Sequence, residues 1–140
     1  MAVIDMARSI KELFPEYVVM IKIGTFYEVY NDEANIISYL LKYKIKNLSS
    51  SDRVCGFSLG AINKVLYILE GRNINYIMID RAHNYEEESK INYKKKNKYY
   101  EVLDIANEYI DRMNRIDKIS NYLIKDSSKL IDIENILYER

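Results

Sequence analysis

The side chains of this sequence best suited to chemistry are Phe26 and Glu28, in the run Gly24-Thr25-Phe26-Tyr27-Glu28-Val29-Tyr30. The residues just before it, Val18 to Ile23, are β-branched and apolar apart from Lys22, and read as a buried strand leading up to a glycine. In an extended chain Phe26, Glu28 and Tyr30 point one way, while Tyr27 and Val29 point the other. Packing Phe26 into a core would carry Glu28 in beside it, which is costly unless the carboxylate is paired. Burying Tyr27 and Val29 instead leaves an aromatic ring and a carboxylate together at a surface. Such a pair suits contact with something flat.

Other chemistry is sparse. His83 is the lone histidine and lies in a polar stretch with no Cys, His or paired carboxylate at ligand spacing. Cys55 precedes Gly56 in an apolar strand, with nothing nearby in sequence to lower its pKa, and reads as a packed thiol. The acidic run Glu86-Glu87-Glu88 lacks the spacing of a calcium loop, and no Gly-x-x-x-x-Gly-Lys-Ser/Thr phosphate loop is present. The expectation is a protein that is not an enzyme and needs no metal or cofactor.

The 140 residues allow one domain, or one domain with an appendage. With 49% hydrophobic and 30% charged residues the composition is that of a folded globular chain, and no apolar run reaches the roughly 20 residues of a bilayer span. No secretory pattern opens the sequence, and a single cysteine fits a reducing compartment, so the expected location is cytoplasmic. Twenty-one basic and 21 acidic side chains cancel, which argues against a strong free-standing nucleic-acid binder. The basic residues are nonetheless grouped: Lys42, Lys44, Lys46 and Arg53 in one region, and Lys90, Lys94, Lys95, Lys96 and Lys98 in a second.

The elements that must hold Phe26 and Glu28 follow from periodicity. Residues 2 to 13 carry apolar side chains at helical spacing up to Pro15, and strands at 17–23 and 25–30 meet at Gly24. Asn31 or Asp32 can cap a following helix, two strands flank Ser49-Ser50-Ser51-Asp52, and a helix over 61–70 ends at Gly71 before a strand over 75–80. The reading is an α/β fold, a mixed sheet flanked by helices, over residues 1–85. Residues 86–140 are expected to be a helical extension that starts as a polar linker or exposed helix start. Within it Val102, Ala106, Tyr109, Met113, Ile116, Ser120 and Leu123 recur in steps of four and three. That stripe either folds back on the sheet or pairs with another copy, and Val102, Tyr109, Met113, Ile116 and Leu123 are the candidate oligomerisation residues.

The segment from Phe14-Pro15 through Gly24-Thr25-Phe26-Tyr27-Glu28 to Asp32-Glu33-Ala34, then Gly56-Phe57-Ser58-Leu59-Gly60 and Tyr76 to Asp80, resembles the N-terminal mismatch-recognition domain of the MutS DNA mismatch repair family. The resemblance spans roughly residues 2 to 81. It implies a MutS domain I-like fold whose partner is double-stranded DNA with a mispair or distortion. Phe26 would stack on the mispaired base from the minor groove, and Glu28 would accept a hydrogen bond from it. Lys22, Lys42, Lys44 and Arg53 would be the accompanying DNA-binding cations. Thr25 stands where the family has Asp, and Ser58-Leu59-Gly60 where it has Pro-Tyr-His. The family's clamp and ATPase domains have no counterpart, so two functions remain open: DNA contact without ATP hydrolysis, or an interaction and oligomerisation module that keeps the fold without DNA.

Overall fold

The computed structural model describes residues 2–138, which fall into two compact units divided between Asn107 and Glu108. The first holds a six-stranded mixed sheet of order β3-β4-β2-β1-β5-β6. Its elements are α1 (Val3–Leu13), β1 (Val18–Ile23), β2 (Phe26–Tyr30), α2 (Asp32–Leu41), β3 (Ile45–Asn47), β4 (Arg53–Ser58), α3 (Ile62–Gly71), β5 (Tyr76–Asp80), β6 (Glu86–Ile91) and the opening turns of α4 (Tyr99–Lys125). All pairings are antiparallel except that of β1 with β5, which is parallel with Lys22 opposite Asp80.

Strand parity splits the core in two. Val18, Met20, Tyr27, Val29, Cys55, Phe57, Tyr76 and Met78 face one side, against α2, α3 and the start of α4. Val19, Ile21, Tyr30, Val54, Ile77 and Ile79 face the other, where Ala7 and Ile10 of α1 cover them. The central strands are therefore apolar on both faces, which explains the nearly unbroken hydrophobic runs at 18–23 and 76–79.

Four local readings change. The stretch expected as a linker or helix start is strand β6, which pairs with β5 from Tyr76–Ile91 to Asp80–Glu86 across a bulge near Met78. The sheet thus continues past position 85. Asn31 makes no side-chain cap on α2; its side-chain Oδ1 accepts instead from the Arg53 N–H (2.9 Å), tying β4 to β2. Gly71 closes α3 from within, and the left-handed residue beyond it is Asn73 (φ 54°). Val102 is buried with Tyr99, Leu103 and Ala106 in the first face's core, so the opening of the heptad stripe serves the sheet and Val102 is not free for oligomerisation.

One buried polar clasp joins α1, α2 and α4. Lys11 Nζ reaches Glu33 Oε1 (3.1 Å), the Tyr99 hydroxyl (2.9 Å) and the Tyr17 carbonyl (2.8 Å), and Tyr99 donates to Glu33 Oε2 (3.0 Å). All three ammonium donors and both carboxylate oxygens are used, which makes burial of the pair tolerable. Burial pushes the Glu33 carboxyl above and the Lys11 ammonium below their ordinary values. The second unit consists of α4 from Glu108 onward, a short turn capped by Asp126, and α5 (Leu130–Tyr138). Among the described residues no helix is long and apolar enough to cross a membrane.

Candidate nucleic-acid interface

The turn between β1 and β2 fixes where Phe26 emerges. Ile23 pairs with Phe26, leaving Gly24 and Thr25 as a two-residue hairpin loop, and Gly24 takes φ +58° at its first position. That geometry favours glycine and matches the twist of the flanking strands. On the other side Phe26 pairs with Ser58, and the Leu59 N–H donates to the Thr25 carbonyl (3.0 Å), so the rim is held on both flanks. Phe26 stands 50% exposed, Tyr27 and Val29 are buried, and Glu28 is half-buried. The alternation read from the sequence holds from Phe26 to Val29 and ends at Tyr30, which keeps the Glu28 side but is buried.

Glu28 lies two residues along β2 on the same face, between Ile21 and Gly56. A Cβ at Gly56 would stand 3.9 Å from Glu28 Cγ, so the glycine leaves the flank of the carboxylate open. The Tyr30 hydroxyl donates to Glu28 Oε2. The Tyr30 ring is itself buried against α1, which turns it into a fixed post for the carboxylate and leaves Oε1 open as an acceptor. Burial, and then the Glu28 hydrogen bond, hold the Tyr30 phenol far above its ordinary value. The Arg81 charge acts on the same hydroxyl in the opposite sense, so this guanidinium is electrostatically close to the Glu28–Tyr30 pair.

The cations expected beside Phe26 are distributed differently. Lys22 alternates with Ile21 and Ile23 and therefore points to the opposite face, where its ammonium meets Glu88 at 3.8 Å. Arg53 opens β4 at the far end of the sheet and donates to Asn35 Oδ1 (3.3 Å) on the α2 side. Lys42 ends α2 in a left-handed conformation and folds over the Tyr39 ring, 4.9 Å from its centroid. Lys44 is exposed just ahead of β3. Lys22 and Arg53 thus turn away from the Phe26 face by strand parity, and Lys42 is folded back on its own helix.

The cation missed in the sequence is Arg81. Parallel pairing of β1 and β5 makes both strands end at the same rim, so the residues after Asp80 emerge beside the Gly24 turn. There Asp80 accepts from the Ala82 N–H (2.9 Å) and from His83 Nδ1 (2.5 Å), fixing the short 3-10 turn Arg81–His83. A cleft of about 340 Å³ lies elsewhere, between α1 and the start of α2, and its Arg8, Lys11 and Glu33 groups are already paired within the fold. Among the described residues no group of three or more His, Cys, Asp or Glu side chains is arranged to hold a metal.

The rim thus offers a protruding aromatic ring, a braced carboxylate on the same face and a neighbouring guanidinium. No curated protein matches the chain. Residues 3–106, nearly the whole of the first unit, match the family described as MutS domain I. With most of its length so matched, and with a mixed six-stranded sheet in the corresponding segment, the chain belongs to the MutS domain I family.

Proposed function

We propose that this protein binds duplex DNA at a mispaired or distorted step, without catalysing a reaction, and that it does so in the cytoplasm. Phe26 is the wedge and Glu28 the acceptor; Arg81 supplies a positive charge for the backbone. The observation that carries the reading is the half-exposed Phe26 ring at a rigid two-strand rim, with Glu28 on the same face. Opening a base step is least costly where pairing is already defective, so an apolar wedge selects such steps without reading sequence.

The test is fluorescence anisotropy at low salt with a labelled duplex, fully paired or carrying one mispair. Loss of a base–aromatic stack worth about 1–3 kcal/mol should weaken mispair binding by Phe26→Ala roughly 5- to 150-fold, leaving the fully paired duplex unaffected. Indistinguishable binding of the two duplexes, unchanged by Phe26→Ala, would remove the reading. A second reading, an assembly module that has lost DNA, is favoured by the exposed apolar side chains Met113, Ile116, Ile119, Ile124, Ile136 and Leu137 in the second unit. Its signature is self-association with no measurable DNA affinity.

A further inference from the structure

Among the described residues of the second unit no side chain is buried. On α4, Met113 is 38% exposed, Ile116 46%, Ile119 57% and Ile124 81%, and the α5 side chains Ile136 (77%) and Leu137 (67%) are no better covered. Patches of this kind on a folded chain mark a docking surface. The seam that continues past Ala106 has Met113 and Ser120 at one core position and Tyr109, Ile116 and Leu123 at the other. The two flanking rows are then Ile110, Asp117 and Ile124 on one side, and Ile105, Arg112 and Ile119 on the other.

These rows complement themselves. When two copies of α4 run parallel in register, each flanking residue of the second row meets the residue five positions later in the first row of the other chain. Arg112 then meets Asp117, Ile119 meets Ile124, and Ile105 meets Ile110, each twice by symmetry. Neither Arg112 nor Asp117 has an ion pair within the chain among the described residues; the ion pair found on this part of α4 is Arg115 with Asp111. An antiparallel pair fits less well. It sets Asp117 against its own copy and Arg112 against Asp126, whose oxygens already accept from the Ser128 N–H and the Tyr122 hydroxyl.

We infer that the occupant of this face is a second copy of the chain, joined through a parallel two-stranded coiled coil over residues 109–124 with reciprocal Arg112–Asp117 ion pairs. The seam is about 24 Å long at 1.5 Å per residue, so the association is reversible and concentration-dependent. It stands independently of the DNA reading, since none of these residues belongs to the Phe26 rim.

The experiment is sedimentation of the full chain over a concentration series, with far-UV circular dichroism to verify helix content. The wild type should approach twice 16.6 kDa as concentration rises. Arg112→Asp alone and Asp117→Arg alone should each weaken the dimer about tenfold or more, because both reciprocal charge pairs across the seam become repulsive. The doubly exchanged chain, R112D with D117R, should regain it, and the two single variants mixed should pair with each other better than either does with itself. A wild type that stays monomeric throughout overturns the inference; the α4 face is then covered within one chain. A dimer that the double exchange does not restore overturns the parallel register.

Discussion

Replacing Tyr30 by Phe isolates what holds Glu28 in place. The substitution keeps the buried ring against α1 and deletes one oxygen, whose partner is Glu28 Oε2. A hydrogen bond to a charged acceptor contributes about 1.5–3 kcal/mol when fully sheltered. Glu28 is only half-buried, so water recovers part of that and the net loss should be about 1 kcal/mol, or roughly 4–8 °C in Tm for a unit of this size. The effect on recognition is separate. A carboxylate freed from its post has to be ordered again on binding, at about 0.5–1.5 kcal/mol, so the preference for a mispaired duplex should fall about two- to twelvefold. Affinity for a fully paired duplex should not change. Thermal unfolding and paired anisotropy titrations read the two quantities independently. A cycle with Glu28→Gln should show coupling of about 0.5–1.5 kcal/mol in stability. Unchanged melting together with an unchanged duplex preference would refute the idea that Tyr30 positions Glu28.

Two predictions concern the buried polar groups. Lys11→Met should destabilise the fold by about 3–5 kcal/mol in denaturant titrations at neutral pH, because Glu33 stays buried with only the Tyr99 hydroxyl beside it. The deficit should shrink as pH falls toward about 5: burial already raises the Glu33 carboxyl above its ordinary 4.5, so the folded variant takes up a proton before the unfolded chain does. A deficit that does not change with pH would show that Glu33 is not the group left unpaired. At high pH the intact protein should lose stability steeply. Burial pushes the Cys55 thiol up to about 11 and the Tyr76 phenol up to about 12, and holds the Tyr30 and Tyr99 phenols higher still. The folded state therefore keeps protons that the unfolded chain releases above the ordinary values of 9.0 and 10.0. Each group then costs about 1.4 kcal/mol per pH unit, and four together about 5 kcal/mol per unit, comparable to a domain's whole stability. Far-UV ellipticity should collapse together with a step in tyrosinate absorbance. Smooth titration of every tyrosine near 10 with the fold intact would contradict this burial.

What the sequence made legible was whatever parity and period decide locally. Strand alternation placed Phe26 and Glu28 outside and Tyr27 and Val29 inside, and the order of elements through β5 matched the family pattern. Parity also bore on Lys22, which lies between two inward isoleucines and so turns away from Phe26. Contacts set at long range were not legible. Strand β6 has no apolar alternation; it exists because β5 offers an edge and Asn75, Asn92 and Asn97 pin the chain that follows. Tyr30 was rightly placed on the Glu28 side, but its burial depends on α1 crossing that end of the sheet. The heptad stripe reads as continuous from Val102, yet its first turns are taken by the first unit's core, and only the packed sheet reveals where the free seam begins.

The geometry also bears on how a chain of zero net charge could hold DNA at all. Lys22 and Arg53 are held by Glu88 and Asn35, and the Arg81 guanidinium stands near the Glu28–Tyr30 pair. A chain without a basic surplus gains little from phosphate contacts, and a stack of about 1–3 kcal/mol falls short of the roughly 4 kcal/mol that even millimolar binding requires. On the proposed reading selectivity and affinity would have separate origins. Phe26, with Glu28 braced by Tyr30, would decide which base step is favoured, because those contacts form only where the step opens. Holding on would then require a second recognition unit on the same duplex. A helix seam joining two chains would supply it at an effective concentration of the order of millimolar, without any added contact to DNA. On that account the exposed apolar face of α4 and the zero net charge of the chain would be two consequences of one arrangement.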